Sequence, residues 1–547
     1  MEARNRLGGR TFTTRVGGEL FELGGTWIHS TQPHVFAEVN RYGLELVDTN
    51  GGFPQSVLWW DGEQAKQAGI GEMLALIQEA VCGSGGPEPD APLSTLQALA
   101  QLSSLMKDFH VDAAAAFPRP FDPFFTDAWK GADTFSVRDR LDQMDLSADR
   151  RGLLEGVLGA SAHGSFSEAG LAEMLRWWAL SGNDITRYSD SVARYRLRDG
   201  TGSLIDAMIE DGRPEVRLAT PVAEVRQEGE RVAILTQAGE RFVARAVIAA
   251  LPMNVLANIE FTPALHPDKV AASRERHAGA GVKVYIHVRD ELPPISIFAP
   301  ESEPLSAFMT MTAGETDGGG GKELVAFGTD PAKIDVHDKS AVQAALRKFL
   351  PDVEVTQTLA YDWHLDPYSL GTWCVLRQGQ MTKYLAALRE PHGLVHFAGG
   401  DFALGWRGFI DGAIESGARV AHEVATQLAG DAQASVAAVA HPPEPAAEPV
   451  GDAVAFQQCA ICHPTDASGT AGVGPNLRGV VGRPIASEPS YAYSDALRSR
   501  QGNWTDREFD AFLADPATWA PGTSMPFGGL KNPADRAAVI RFLREIR

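Results

Sequence analysis

The stretch that decides the fold opens the chain: MEARNRLGGRTFTTRVGGELFE, residues 1–22. Thr11–Arg15 and Glu19–Glu22 flank Val16-Gly17-Gly18, and strand-like runs around paired glycines predict a β-hairpin. Ahead of the hairpin, Glu2 ends an extended start and is followed by Arg4, Gly8, Gly9 and Arg10. In a dinucleotide-binding unit an acid so placed hydrogen-bonds ribose hydroxyls about 20 residues after the phosphate-binding glycines. Arginines and glycine amides beside it would hold pyrophosphate. Taken alone, a solvated charged turn accounts for the stretch about as well.

Outward from this start, helix-like and strand-like patterns alternate. His34–Tyr42 reads as helix and Glu45–Val47 as strand. Arg231–Thr236, Arg241–Ala244 and Ala246–Ala250 read as short strands broken at Gly239 and stopped by Pro252. Ala413–Leu428 repeats apolar residues at helical spacing. Leu74–Val81, Leu96–Met106 and Leu171–Leu180 form a block of helices inserted between the strand-rich parts. The expectation is an α/β body with a mixed sheet and a helical lobe. From Gly430 to Gly451 the chain is rich in alanine and proline with no aromatic residue, which reads as a linker. The expected domains are therefore residues 1–429, a linker 430–451 and a small C-terminal domain 452–547.

At 547 residues several domains are expected, and 44% hydrophobic with 22% charged residues is ordinary globular composition. The net charge of −21 lies before the C-terminal domain, because the tail holds ten Lys/Arg and ten Asp/Glu. Such a surface repels phosphate, so nucleic acid is excluded as a partner class and a cationic small molecule fits better. The most apolar run, Val243–Ile259, is interrupted by Arg245, Pro252, Asn254 and Asn258, so no membrane span is expected. Four cysteines, Cys82, Cys374, Cys459 and Cys462, are too few for a disulfide framework. Cys374 reads as a buried structural thiol and Cys82 as an exposed, inert one.

Cys459-Ala-Ile-Cys462-His463 has the spacing by which two thiols reach two vinyl groups of one porphyrin while the next imidazole faces the iron. A zinc site or a dithiol pair would use the same cysteines, but the tail after His463 holds no further Cys or His to complete zinc. Met525, between Gly522-Thr-Ser and Pro526, is the candidate sixth ligand. Paired His and Met ligation suits electron transfer. The tail resembles the class I cytochrome c family through CAICHP, GVGPNLRGVVGR, YAYSDAL, GTSMPF and AAVIRFLREI, in that family's order. The resemblance implies a small all-α domain with covalent haem c on Cys459 and Cys462, and with His463 and Met525 on iron.

Through GGRTFTTRVGGELFELGGTWIH at 8–29, ATPVAEV at 219–225, AVIAALP at 246–252, GVKVYI at 281–286 and HFAGGDFALGWRGFIDGAIESGARVAHEV at 396–424, the body resembles the flavin-containing amine oxidases. The resemblance implies a Rossmann-like FAD-binding body. Glu2 would bind the adenosine ribose, Arg4, Gly9 and Arg10 the phosphate and ribityl region, and Val222 the adenine. Gly25, Thr26 and Trp27 would line the isoalloxazine, and Gly400, Asp401, Ile410 and Ala413 would close the site. Lys283 matches the family lysine that holds a water at flavin N5. Trp373 and Phe409 fall where the family places two facing rings before the flavin. Thr372 stands where covalent members carry cysteine, so FAD is expected to be noncovalent. The family's glycine-rich turn would precede Glu2, where only Met1 stands, and no equivalent unit occurs later. The start is read as truncated, with the turn and a signal peptide among the missing residues, since haem c attachment implies export to the periplasm.

The expected function is oxidation of an amine by hydride transfer to FAD, with electrons passed to the fused haem and on to a respiratory acceptor. The segments around Trp373 and Phe409 resemble nicotine and pseudooxynicotine amine oxidases most. The competing expectations are an oxygen-using amine or amino-acid oxidase, with Arg377 or Arg407 as a carboxylate anchor, and a cytochrome carrier whose flavin body is incompetent.

Overall fold

A computed structural model describes the chain except residues 50–55, 70–94, 312–320, 438–455, 457–458, 460–462, 466–473, 490, 492, 524, 526–528, 531 and 547. Two compact units result, Met1–Gly430 and Asp431–Arg547. In the first, the opening hairpin pairs Thr13–Val16 with Glu19–Glu22. Its turn residues Gly17 and Gly18 have φ of 63° and 93°, the left-handed region that glycine enters without a Cβ clash. Glu2 and Arg4 lie beside Arg217–Thr220 through backbone hydrogen bonds, in a bent segment and not a strand.

Among the described residues the largest sheet has seven strands in the order Val355–Ala360, Val282–Leu292, Gly321–Gly328, Ala307–Met311, Ile295–Phe298, Ser56–Trp60 and Ala65–Gly69. Its pairs are antiparallel except Ile295–Phe298 with Ser56–Trp60. A four-stranded sheet takes the expected strands Arg231–Thr236 and Arg241–Ala244, together with Val222–Glu228 and Glu260–Thr262. Val247–Ala249 leaves that group and pairs in parallel with Val395–Phe397. That parallel pair carries its strand ends towards Leu251 and Gly399, where the cavity described below lies.

The helices of residues 95–193 form the lobe. Thr95–Phe109, Ala148–Ala162, Leu171–Leu180 and Ile185–Ala193 are its main members, while the expected helix Leu74–Val81 and Cys82 lie outside the described residues. Ala148–Ala162 lies directly on the large sheet because Gly152, Gly156 and Gly159 share the contact face. A Cβ at Gly152 would stand 2.0 Å from the Trp60 carbonyl oxygen, and one at Gly156 2.5 Å from Phe298. All ten residues of Leu171–Leu180 are buried, including Glu173 and Arg176. Both are partnered: Arg176 donates to Glu173 at 2.9 Å, Arg407 also closes on Glu173, and Arg176 reaches the carbonyls of Leu404 and Gly405. Breaking one partner of such a buried group is costly, which pins the lobe to the segment preceding Phe409.

The long helix Ile410–Ala437 starts at the cavity and runs past Gly430, so Asp431–Ala437 are helical within the segment read as linker. The second unit holds the short helices Asp495–Arg498, Asp506–Ala514 and Pro516–Trp519 and the closing helix Pro533–Glu545, packed around Phe456, Cys459, Trp504, Phe509 and Val539. No described helix is long and apolar enough to cross a membrane.

Candidate active site

A cavity of about 770 Å³ in the first unit gathers most of the expected residues. Glu2, Gly9 and Arg10 come from the start, Gly25 to Trp27 from beyond the hairpin, and Gly400, Phe409, Ile410 and Ala413 from the last third; Lys283 and Trp373 complete the set. Val222 and Arg4 are not on its wall. Val222 pairs with Thr236 within the four-stranded sheet. Arg4 donates to Asp366 at 2.6 Å and Ser369 at 2.8 Å and packs on Tyr368, so its guanidinium serves the loop 362–370 instead of the cavity.

Arg10 does reach the wall. It donates to the Thr372 carbonyl at 2.7 Å and closes on the carboxylate of Asp401. Asp401 also accepts the amide of Met253 at 2.8 Å and is fully buried. Burial works against its charge, yet Arg10, His277 and that amide outweigh it and hold the carboxyl below the usual range. Asp401 is thus the anchor of Arg10, one layer behind the cavity surface.

Lys283 sits on the strand Val282–Leu292, and alternation along it puts Tyr285 on the same face. Its ammonium donates to the Glu22 carbonyl at 2.8 Å, the Gly24 carbonyl at 3.0 Å and Thr26 Oγ1 at 2.6 Å. Three donors meet three acceptors, so the group is exhausted on protein and holds the segment that lines the cavity. Burial pulls its pKa down and pushes that of the neighbouring Glu22 carboxyl up. Glu22 is itself satisfied by Thr13, by the Thr201 hydroxyl and by the Thr201 amide.

Trp373 and Phe409 both line the cavity, each locked by different neighbours. Phe409 meets Trp177 and Trp406 edge-on, both at 5.0 Å between ring centres. Trp373 stacks on His163 at 4.0 Å and donates its Nε1–H to the Ser161 carbonyl at 3.0 Å. Sequence reasoning missed His163, Trp177 and Phe327, all on the wall. The one local signal was a polar histidine closing an apolar helix, at Ser161-Ala-His163-Gly164. Cys374 is buried as expected. Arg377 pairs with Glu168 at 2.6 Å and Arg407 with Glu173, and neither lines the cavity.

The cavity suits a flavin nucleotide. Gly9 and Gly417 line it with nothing within 4 Å of where a Cβ would stand, and Trp27 keeps a buried indole N–H without a partner. Residues 1–425 match the family model of the flavin containing amine oxidoreductases. The chain belongs to this family.

This amine oxidoreductase is 39% identical over 432 residues to a pseudooxynicotine dehydrogenase of a Pseudomonas species, spanning 79% of this chain and 82% of that protein. It is 34% identical over 430 residues to a nicotine dehydrogenase of Pseudomonas putida, spanning 78% and 82%. Its C-terminal part is 44% identical over 98 residues to cytochrome c2 of Rhodomicrobium vannielii, covering 18% of this chain and 78% of that protein. Among solved structures, wild-type putrescine oxidase bound to putrescine shares the fold at a TM-score of 0.62 and 22% identity, over 78% of this chain and 92% of that one. The enzyme is a flavin-dependent amine oxidoreductase, with FAD implied by the family and haem c by the cytochrome homology.

The described residues of the second unit fit a haem. His463 donates from Nδ1 to the Pro475 carbonyl at 3.0 Å, which leaves Nε2 as the free donor atom for a metal. A Cβ on Gly474 would lie 2.4 Å from the His463 ring, so only glycine lets the chain pass there. Cys459 is buried in the apolar cluster against which Met525 packs, and Cys462 lies outside the described residues.

Proposed function

We propose that this oxidoreductase dehydrogenates a secondary or tertiary amine carrying a pyridine-type ring and passes the two electrons, one at a time, through its own haem to a downstream respiratory acceptor. The observation that carries the substrate class is the wall of the cavity. It is largely apolar and aromatic, with Trp373, Phe409, Trp177 and Phe327, and the two arginines that could have held an amino-acid carboxylate are paired elsewhere. The names of the two Pseudomonas dehydrogenases support the ring and the preference for an acceptor other than oxygen.

When bound, FAD supplies the hydride acceptor and haem c the one-electron acceptor. The chain's own residues prepare the substrate. Trp373 and Phe409 attract the ammonium form by cation–π contact, and the dry wall lowers the amine pKa until the neutral form, whose lone pair assists hydride loss from the α-carbon, becomes accessible. The product iminium is hydrolysed by water to carbonyl and amine. Glu2, Gly9 and Arg10 would hold the ribose and pyrophosphate end, and Gly25–Trp27, Gly400, Ile410 and Ala413 the ring end. Lys283 keeps Glu22–Thr26 in register beneath them. Thr372 offers a hydroxyl and no thiol, which fits noncovalent FAD. Cys459, Cys462, His463 and Met525 would hold the haem in a domain 452–547, and haem attachment favours a periplasmic location.

The test is anaerobic stopped flow with nicotine or pseudooxynicotine, following the haem band. Haem reduction at a rate independent of protein concentration supports transfer within one chain, as tethering at millimolar effective concentration demands. A rate proportional to protein concentration removes the internal route. Peroxide release in air with oxidised haem would establish the oxygen-using alternative.

A further inference from the structure

His163 closes the helix Ala148–Ala162 in the left-handed conformation, φ 46° and ψ 40°. Both of its ring nitrogens are engaged. Nε2 lies 2.9 Å from the Val282 carbonyl, which only accepts, so Nε2 carries the proton. Nδ1 is then the acceptor for the Thr372 hydroxyl at 2.9 Å. The tautomer is thereby set by its two partners, and burial drops the pKa to about 3, so the ring stays neutral.

Those two partners each precede a residue of the cavity wall. Val282 immediately precedes Lys283, and Thr372 immediately precedes Trp373. The His163 carbonyl accepts from the amides of Ala280 at 2.9 Å and Gly281 at 2.7 Å, which fixes the same strand a second time. The imidazole plane lies 14° from the Trp373 indole with centres 4.0 Å apart, and Phe327 meets both rings edge-on. A neutral imidazole behind the indole leaves the other face for a substrate cation, whereas a charged one would compete for the ring electrons and repel the cation.

We propose that His163 is a positioning residue that sets Trp373 at a fixed distance from the Lys283 strand and so determines how tightly the amine is held. This rests on the amine-oxidising reading of the cavity. No other side chain bonds to both segments through its ring, and none stacks on Trp373 among the described residues.

The experiment is a double-mutant cycle in the full-length holoenzyme. His163→Asn tolerates the left-handed backbone but has no ring. It is expected to raise KM about tenfold, the size of effect a weakened cation–π contact produces, with kcat within a few-fold. In a Trp373→Ala background the same substitution is expected to change KM less than about twofold, because residues acting through one another are non-additive. His163→Phe keeps a stacking ring without either hydrogen bond and should fall between wild type and His163→Asn. The near-UV circular dichroism of the indoles should weaken in His163→Asn whether or not the enzyme is given an amine. Flavin and haem absorbance confirm that each variant is folded. An unchanged KM in His163→Asn, or a full tenfold loss persisting in the Trp373→Ala background, overturns the proposal. Failure of the wild type to turn over pyridine-type amines would overturn the proposed substrate and leave the cycle to be read on whichever amine it does oxidise.

Discussion

Arg10 closes on Asp401, 391 positions further along the chain. The contact joins the opening glycine segment to the segment that begins the last helix of the body, across the wall of the cavity. Asp401→Asn keeps the shape and the acceptor for the Met253 amide but removes the charge that matches Arg10. A loss of roughly 3 kcal/mol is expected, at the low end for breaking a buried pair because Arg10 is part-exposed. Denaturant unfolding and flavin retention on gel filtration check it. Unaltered stability with full flavin content would show that Arg10 finds another partner.

Trp373→Ala is expected to lower kcat/KM for amines while haem content stays intact. Truncating a largely buried ring that stacks on His163 also costs roughly 3–5 kcal/mol, so flavin and haem content are measured on the same sample. Trp373→Phe, which keeps a ring but loses the bond to Ser161, should lose less. A kcat/KM equal to wild type in Trp373→Ala would remove the cage reading.

Lys283→Met keeps the buried stem and deletes three hydrogen bonds, so Glu22, Gly24 and Thr26 lose a shared donor. The carbonyls left unsatisfied cost about 1–3 kcal/mol each at most, and the segment 22–27 should loosen. Hydrogen exchange at Leu23–Trp27 should rise alongside a fall in turnover. Normal protection with lost turnover would instead assign Lys283 a direct part in the chemistry.

Acid should unfold the first unit through its buried histidines. His110 and His163 are pushed down to about 3 and His277 to about 4, in each case chiefly by burial, from an ordinary 6.5. Above about 6.5 neither folded nor unfolded chain protonates them and their contribution is fully present. As pH falls from 6.5 towards 3–4, only the unfolded chain takes up the protons, so stability declines. Thermal melts from pH 7.5 to 4.5 should show a falling Tm, and a His277→Gln or His110→Gln variant should flatten the decline. A Tm independent of pH in this window would contradict the burial of these rings.

Met525→Ala should leave haem attached through the thioethers but shift its potential downward, since His/Met ligation is what raises it. Redox titration of the haem band reads the shift directly. An unchanged potential would mean that another residue is the sixth ligand.

Part of this protein is written locally. The hairpin at 13–22 was legible because strand alternation and a Gly17-Gly18 turn are properties of neighbouring residues. The spacing of Cys459, Cys462 and His463 pointed to haem because two thioethers and one axial nitrogen would need it whatever surrounds them, and the cytochrome homology implies the same cofactor. The helix from Ile410 was legible from its apolar repeat, and its extension past Gly430 into an alanine-rich stretch follows from alanine's helix propensity.

Tertiary structure decided what distance along the chain conceals. Arg4 and Arg10 flank one glycine pair, and nothing in their neighbours separates their roles. Asp366 draws the first away from the cavity and Asp401 draws the second to its wall, because each guanidinium goes to the carboxylate the fold brings within hydrogen-bonding reach. His163 had no motif at all. Its part exists only where a helix end meets Val282 and Thr372, since a hydrogen-bonding ring acquires a role from the partners that folding sets around it.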